Sequence, residues 1–281
     1  MQPRDSFIVE VHQAALRDKK IMFLSADFGA PALDKFREEC PSQFVHCGIS
    51  EQNMINVAVG MALAGLRVYC YAMSPFFLRC FEQLKLAGMH GVPITILSAG
   101  PGLAYAGAGP THYATEDIAC YRTLVNTDIY TASTAHLASS IAKHTLDSSR
   151  MNIVRLERGE LPEIYLSNYK CKSGYQTHPR ATQDAPYLTC GYLVHWLRAR
   201  GHSVIDVFRI APISPLLIME LDKYDHVYTF EEQYGPGGFG EAIQSALAEN
   251  GKKVRVFRRT LKHQAIYENG TRDQLLEGMW T

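Results

Sequence analysis

The sequence predicts an α/β fold of two parallel-sheet units, each with helices on both faces of its sheet in three layers. Three observations carry this. Apolar runs recur through the first half, at 21–25, 44–47, 67–72, 94–98, 127–132 and 152–156. Helical patterns lie between them or flank them, at 5–18, 51–64, 76–88 and 134–147. A smaller unit repeats the alternation, with strands near 187–190, 203–208, 226–231 and 253–258 and helices near 191–200, 214–222 and 240–250. Short apolar strands alternating with helices read as parallel sheets buried on both faces.

In chain order, residues 5–18 form an amphipathic helical pattern, and Ile21-Met22-Phe23-Leu24-Ser25 reads as a buried strand. Gly65 is placed to end the helix that begins near Glu51. Gly60, inside that helix, suggests close packing against a neighbour. No GxGxxG follows the first strand, so a dinucleotide fold of the usual kind is unsupported. The periodicity fades over 159–186, which holds Pro162, Gly174, Pro179 and Pro186. The expected division is therefore 1–160, a linker over 161–186, and 187–281.

At 281 residues the chain can bury cores for two domains. Its formal net charge is zero, which gives no reason to expect nucleic acid or a membrane surface as partner. No apolar run approaches the ~20 residues of a membrane span, and Met1 to Asp5 opens no signal-peptide core. Seven scattered cysteines without zinc-knuckle spacing read as free thiols of a cytoplasmic protein. Eleven histidines without HExxH pairing give no reason to expect a protein-built metal site.

The segment Gly48-Ile49-Ser50-Glu51-Gln52-Asn53-Met54 places one carboxyl between a short apolar run, 44–47, and a long one, Met54 to Ala64. A Glu at such a strand-to-helix turn is expected to be buried. Burial raises a carboxyl pKa, and a neutral carboxyl can donate a hydrogen bond to a ring nitrogen. The same residues also fit a helix start capped by Ser50 with an acid in its first turn.

The wider pattern resembles the transketolase family, in its pyrimidine-binding and C-terminal domains. Gly48 to Met54 is similar to the family's glycine-x-x-glutamate signature, and Gly107-Ala108-Gly109-Pro110-Thr111-His112 to its second. Tyr71-Ala72-Met73-Ser74-Pro75-Phe76-Phe77 resembles the segment that packs on the pyrimidine. Thr229-Phe230-Glu231-Glu232-Gln233 through Gly237-Gly238-Phe239-Gly240 resembles the C-terminal-domain signature. Ser74 to Gln83 is most similar to deoxyxylulose-phosphate synthase, a relative of transketolase. The order and spacing agree across nearly the whole chain.

The resemblance implies thiamine diphosphate as cofactor, with Glu51 facing its pyrimidine nitrogen as a catalytic group. It implies that Ser74 and Phe76 border the pyrimidine pocket. Arg79 stands where transketolases proper carry an aromatic residue. It is read either as lying on the pyrimidine face or as a surface arginine. His112 is implied as the second catalytic residue, at the substrate oxygen. Arg158, in Leu156-Glu157-Arg158-Gly159, matches a family arginine that would anchor substrate phosphate. Arg4 is a weaker candidate, and each also fits a surface charge.

Departures from the family bear on the substrate and on assembly. Ala108 stands where members commonly have a sugar-reading aspartate, and loop 99–106 lacks the arginine of deoxyxylulose-phosphate synthase. This favours an unusual sugar as acceptor. The Gly-Asp-Gly motif that holds Mg²⁺ and diphosphate is absent from the sequence. The expectation is one subunit of a split transketolase-like transferase in carbohydrate metabolism. The Mg²⁺ ligands would come from a second subunit carrying the diphosphate-binding domain, two copies of each chain forming a heterotetramer. Two alternatives are a beta subunit of a 2-oxo-acid dehydrogenase, which shares a Gly-Ile-x-Glu-Gln motif, and a non-catalytic assembly partner.

Overall fold

The apolar runs of the first half become the strands of one twisted sheet, and the patterns between them supply its covering helices. The computed structural model describes residues 1–26, 31–180 and 185–279. The first half runs α1 (Pro3–Ala15), β1 (Ile21–Ser25), α2 (Ala32–Glu39), β2 (Phe44–His46), α3 (Glu51–Leu63), β3 (Arg67–Met73), α4 (Ser74–Phe77) and α5 (Phe81–His90). It continues with β4 (Ile94–Ala99), α6 (Asp117–Tyr121), β5 (Thr127–Ala132), α7 (Ala135–Asp147) and β6 (Met151–Leu156). The second half adds β7 (Gln176–His178), β8 (Tyr187–Thr189), α8 (Tyr192–Ala199), β9 (Val204–Asp206), β10 (Arg209–Ala211) and α9 (Pro215–Leu221). It closes with β11 (His226–Tyr234), α10 (Phe239–Glu249), β12 (Arg255–Leu261) and α11 (Arg272–Met279).

The first sheet has the order β10-β5-β6-β4-β3-β1-β2. All its neighbours are parallel except β10, which runs antiparallel to β5 with Arg209 opposite Tyr130. The second sheet has the order β12-β11-β8-β9-β7 and is parallel except for β7, where Gln176 stands opposite Asp206. The predicted α/β class holds, with one antiparallel edge strand added to each sheet.

Several local expectations need correction. The stretch read as a linker carries β7, a strand of the second sheet, while its residues 181–184 lie outside the described residues. The strand expected over 203–208 ends at Asp206, and the chain then crosses to the first sheet as β10. Helix 76–88 is two helices joined by a 3-10 turn, Leu78–Cys80. Gly60 packs against nothing: it is exposed, and a Cβ there would meet no atom within 4 Å. Gly65 does end α3, with φ of +89° and Leu66 N–H donating to Met61 O across the turn at 3.1 Å.

The core explains why the two sheets stay together. One buried cluster joins Ile94, Ile96 and Ile129 of the first sheet to Leu188, Ile205 and Val227 of the second. The other face of the first sheet, with Phe23, Tyr69 and Tyr130, packs under α1 and α7 through Phe7, Val11 and Ile141. Cutting any of these large side chains to Ala would cost about 2–5 kcal/mol. Among the described residues no helix is long and apolar enough to cross a membrane. All seven cysteines are free.

Candidate active site

Parallel strands bring their following loops to one edge, where α/β folds bind ligands. Glu51 follows β2, Ser74 and Phe76 follow β3, His112 lies in the loop after β4, and Arg158 follows β6. The turn into α3 depends on Gly48, whose φ of +70° suits glycine. Gly48 N–H donates to His46 Nδ1 at 3.0 Å. Ser50 sits at the helix cap position, but its hydroxyl donates to Cys47 O at 2.6 Å and caps nothing. Glu51 is the first residue of α3, and only 3% of its side chain is exposed.

Glu51 opens onto a cleft of about 480 Å³ lined by Ile49, Gln52, Asn53, Asn56, Arg79 and Gln83, among others. Arg79 Nη1 lies 3.5 Å from Glu51 Oε2, with 52% of the arginine side chain exposed. Its backbone carbonyl accepts from Gln52 Nε2 at 2.8 Å, which ties the 3-10 turn to α3. The Arg79 guanidinium also lies over the Phe76 ring, 4.9 Å from its centroid.

From Phe76 the contacts continue as a row. The Phe76 and His112 rings meet edge to face at 5.8 Å. His112 and Tyr105 are 6.2 Å apart, and the Arg158 guanidinium lies 4.8 Å from the Tyr105 centroid. The row therefore runs Glu51, Arg79, Phe76, His112, Tyr105, Arg158. Thr111 Oγ1 engages His112 Nδ1 at 2.9 Å, which leaves Nε2 as the nitrogen available to a ligand. Tyr105 packs over Gly100, whose φ is +74°; a side chain at Gly100 would strike the tyrosine ring.

Two expected residues sit beside the row. Ser74 is buried, its hydroxyl accepting from Ser98 Oγ at 2.8 Å. Arg4 is buried in α1, with Nε donating to Asp5 Oδ1 at 2.8 Å. Gly159 N–H donates to Gln2 Oε1 at 3.2 Å, so the start of α1 reaches the same sheet edge as Arg158. Ala108 is exposed at the end of the 3-10 turn Ala106–Ala108.

Sequence reasoning missed three groups. Tyr105 stands in a stretch where the sequence pattern points only to a missing arginine. Arg272 bridges Glu157 and Glu232, and Glu157 is the immediate neighbour of Arg158. Asp206 is fully buried and accepts from Ser133 Oγ and Tyr165 OH at 2.5 and 2.7 Å. No local pattern marks a buried charge whose partners are far away in the chain. Among the described residues, no group of three or more His, Cys, Asp and Glu side chains could hold a metal ion.

Comparison with known proteins gives this geometry its family. The model of the transketolase pyrimidine-binding domain matches residues 3–163, more than half of the chain. The chain belongs to the transketolase family. One subunit of the apulose-4-phosphate transketolase of Phocaeicola vulgatus is 28% identical over 267 residues, 90% of this transketolase-family chain and 86% of that subunit. Human transketolase is 26% identical over 226 residues, 75% of this chain but 36% of its own length. The chain thus spans most of the Phocaeicola subunit and under half of the human transketolase. In structure it follows a split-gene transketolase described as an inactive beta4 tetramer, with a TM-score of 0.84 at 23% identity over 99% of this chain and 93% of that one. It also follows the transketolase of Campylobacter jejuni, with a TM-score of 0.77 at 16% identity over 99% of this chain and 44% of that one. At these identities the two structures establish the shared fold alone.

Proposed function

We propose that this chain is the C-terminal-type subunit of a split, thiamine diphosphate-dependent transketolase, which moves a two-carbon ketol unit to an aldehyde or related carbonyl acceptor. The observation that carries the reading is Glu51: a buried carboxyl on an open cleft, in one row with an aromatic wall and a histidine. An aminopyrimidine needs a carboxyl shielded from water and a flat apolar surface. Glu51 and the half-buried Phe76 offer both, so the residues fit the group. When bound, thiamine diphosphate supplies the carbon nucleophile and electron sink for breaking and making a bond beside a carbonyl.

The chain's own residues act around it. Glu51 would hold the pyrimidine ring nitrogen through a hydrogen bond and would move a proton at its own carboxyl oxygen. Phe76 would border the ring, with Ser74 buried behind it rather than on the cleft, and Arg79 would lie against the ring face. His112 Nε2 faces the substrate oxygen, where it stabilises developing charge and shuttles a proton. Arg158 grips an anionic group of the substrate, with Arg4 behind it at the same sheet edge. The Phocaeicola relative is a transketolase for apulose 4-phosphate, so a sugar phosphate of that kind is the first substrate to try.

The Mg²⁺ and diphosphate belong, on this reading, to a second subunit, in a cytoplasmic heterotetramer with two copies of each chain. The α3 surface supports docking beside the cleft. Glu51 is the only charged residue of α3, and its exposed positions Gln52, Asn53, Asn56, Gly60 and Leu63 are all neutral. Ile49 and Leu63, 84% and 60% exposed, add apolar surface to a face from which charge is depleted, as at interface cores. Residues 1–160 would form the body of the pyrimidine-binding domain and 187–281 most of the C-terminal domain, with 161–186 joining them and adding β7 to the second sheet, and β10 completing the first. The relatives described above are transketolases, which favours this reading over a 2-oxo-acid dehydrogenase subunit or an inert assembly partner.

The test is reconstitution. Ketol transfer is measured with this chain alone and with the partner subunit, each with thiamine diphosphate and Mg²⁺. Activity should need both chains. Robust turnover by the purified chain alone overturns the split arrangement, and a fully assembled pair inactive on every ketose donor overturns the reaction.

A further inference from the structure

The edge of the first sheet and the end of β11 meet in an ionic cluster that the chemistry above does not use. Arg272, the first residue of α11, stands between two buried carboxylates. Its Nη1 donates to Glu157 Oε2 at 2.7 Å and its Nη2 to Glu232 Oε2 at 2.6 Å. Its Nε adds a bond to Glu232 Oε1 at 2.8 Å. Burial pushes the Glu232 carboxyl up, and Arg272 is the main group that pulls it back. Such a pair facing each other without the cation would repel.

Arg272 Nη2 also donates to Glu157 Oε1 at 3.3 Å and Nε to Glu232 Oε2 at 3.1 Å, and the cluster bonds the backbone as well. Glu232 Oε2 accepts from Leu103 N–H at 3.0 Å, and Glu157 Oε1 from Tyr192 N–H at 2.8 Å. Arg272 Nη2 reaches Pro101 O at 3.5 Å. Pro101 and Leu103 are the base of the loop that carries Tyr105 and His112. The loop's neck closes where Ala114 N–H donates to Gly102 O at 2.9 Å. Its outer side is held by Tyr113 OH, which donates to Ala106 O at 3.0 Å and sits 3.4 Å from Glu268 O. Gly102 has a φ of +58°, and any side chain there would strike the Glu232 carboxylate. At Gly102 the loop backbone lies directly on that carboxylate.

We propose that Arg272 is a positioning residue for His112: by joining Glu157 to Glu232 it lets Glu232 hold Leu103, and so fixes loop 100–112 at the mouth of the cleft. The C-terminal half is then part of the active site without touching the substrate. The functional consequence rests on the role given to His112 above, while the mechanical one stands apart from it.

The experiment reads both. In the chain alone, amide hydrogen exchange is followed residue by residue, and the His112 ring is followed by NMR. Arg272→Met should speed exchange over 102–112 about tenfold or more, well beyond any change in the sheet strands, and shift the His112 signal. Adding Glu232→Gln to Arg272→Met removes one of the two facing charges, and with it their repulsion, but keeps an acceptor for Leu103, so loop protection should return. In the assembled enzyme Arg272→Met should lower kcat by about 10²-fold, as expected for a small misplacement, with cofactor affinity unchanged. Should Arg272→Met not fold, Arg272→Lys tests the bridge with the charge kept, and Glu232→Leu against Glu232→Gln tests the link from Glu232 to Leu103: only the leucine should loosen the loop. An unchanged loop in Arg272→Met, a uniform rise across the whole chain, or equal behaviour of the leucine and glutamine variants overturns the proposal. A loosened loop with unchanged kcat overturns its functional half. If the wild-type pair proves inactive, the function reading falls and the exchange data still decide the clamp.

Discussion

Arg79 Nη1 lies 3.5 Å from Glu51 Oε2, a half-exposed cation resting on a buried carboxylate. The contact is longer than the 2.7–2.9 Å usual for charge-assisted hydrogen bonds. With Arg79 so exposed, solvent screening leaves it little weight in stability. Arg79 therefore covers Glu51 loosely and can be displaced by a ligand that offers Glu51 a better partner.

From this, Arg79→Ala should leave the thermal midpoint nearly unchanged, since exposed ion pairs are typically worth about 0–1 kcal/mol. Cofactor affinity of the assembled enzyme should weaken by about tenfold or less, the reach of a cation–π contact of ~0.5–1 kcal/mol or somewhat more. Fluorescence titration with thiamine diphosphate checks this. Equal affinity would leave Arg79 as a surface residue.

Glu51→Gln keeps the side-chain shape and its hydrogen bond toward Arg79, but Gln cannot relay a proton. The fold and assembly should survive, and kcat should fall by about 10²–10⁴-fold, the usual range for a lost acid–base group. Steady-state kinetics of the assembled variant, beside its cofactor affinity and thermal midpoint, separate lost chemistry from lost binding. A kcat equal to wild type would remove Glu51 from catalysis.

The legible parts of the fold are those whose signal is local. Ile21–Ser25 and Thr127–Ala132 match their expected spans because each is a short β-branched or aromatic-bearing strand buried in its sheet on both faces. The burial of Glu51 is legible in its strand-to-helix turn, and the order of strands and loops puts Phe76 and His112 at the same sheet edge. The misses share a cause. β7 and β10 are three-residue antiparallel edge strands, formed by partners about 30 and 80 residues away in the chain. Arg272 reaches Glu157 across 115 residues. Gly60 was misread because glycine inside a helix marks close approach or an open surface equally well, and the burial of its neighbours decides which.

Stability should depend on pH through Asp206. Burial pushes its carboxyl up to about 7, against the pull of bonds from Ser133 and Tyr165, and its Oδ1 has no partner. Burial likewise pushes Glu231 up to about 7, although Gly240 and Phe239 N–H groups donate to it. The folded state holds these protons more tightly than the unfolded chain, so this contribution is present at low pH and lost as pH rises through about 7. His178 works in the opposite sense. Burial, with Arg198 and His195 nearby, lowers it to about 4, so its contribution is present above its ordinary 6.5 and lost as pH falls toward 4. The thermal midpoint should therefore rise from pH 8 to about 6.5, and the gain should shrink below that as His178 takes effect. Asp206→Asn should flatten the rise and sit relatively higher at pH 8 than at pH 6. Melting curves of both proteins across this range check it, and parallel pH profiles would exclude Asp206 as the source.

Substrate choice should follow from Ala108 and the Tyr105–Arg158 stack. A carboxylate expected near the sugar hydroxyl is missing at Ala108, and the loop around Tyr105 holds no arginine. The cation at this end of the row is Arg158, held 4.8 Å from the Tyr105 ring centroid. An unpaired hydroxyl costs about 1–3 kcal/mol when buried. Ordinary pentose phosphates should therefore be poor acceptors, and an acceptor differing at that hydroxyl should be preferred, its anionic group on Arg158. Xylulose 5-phosphate with ribose 5-phosphate should fall below the ~10⁴ M⁻¹s⁻¹ of a good enzyme. Ala108→Asp should raise that value by about tenfold or more, the kinetic equivalent of ~1.4 kcal/mol, because position 108 is exposed and has room for the carboxylate. Tyr105→Ala frees Arg158 and should raise KM for phosphorylated acceptors more than for unphosphorylated ones. Specificity constants for the three proteins over a panel of acceptors decide the matter. Efficient turnover of the ordinary pentose pair by the unmodified enzyme, with no gain from Ala108→Asp, would show that the carboxylate was never needed at this position.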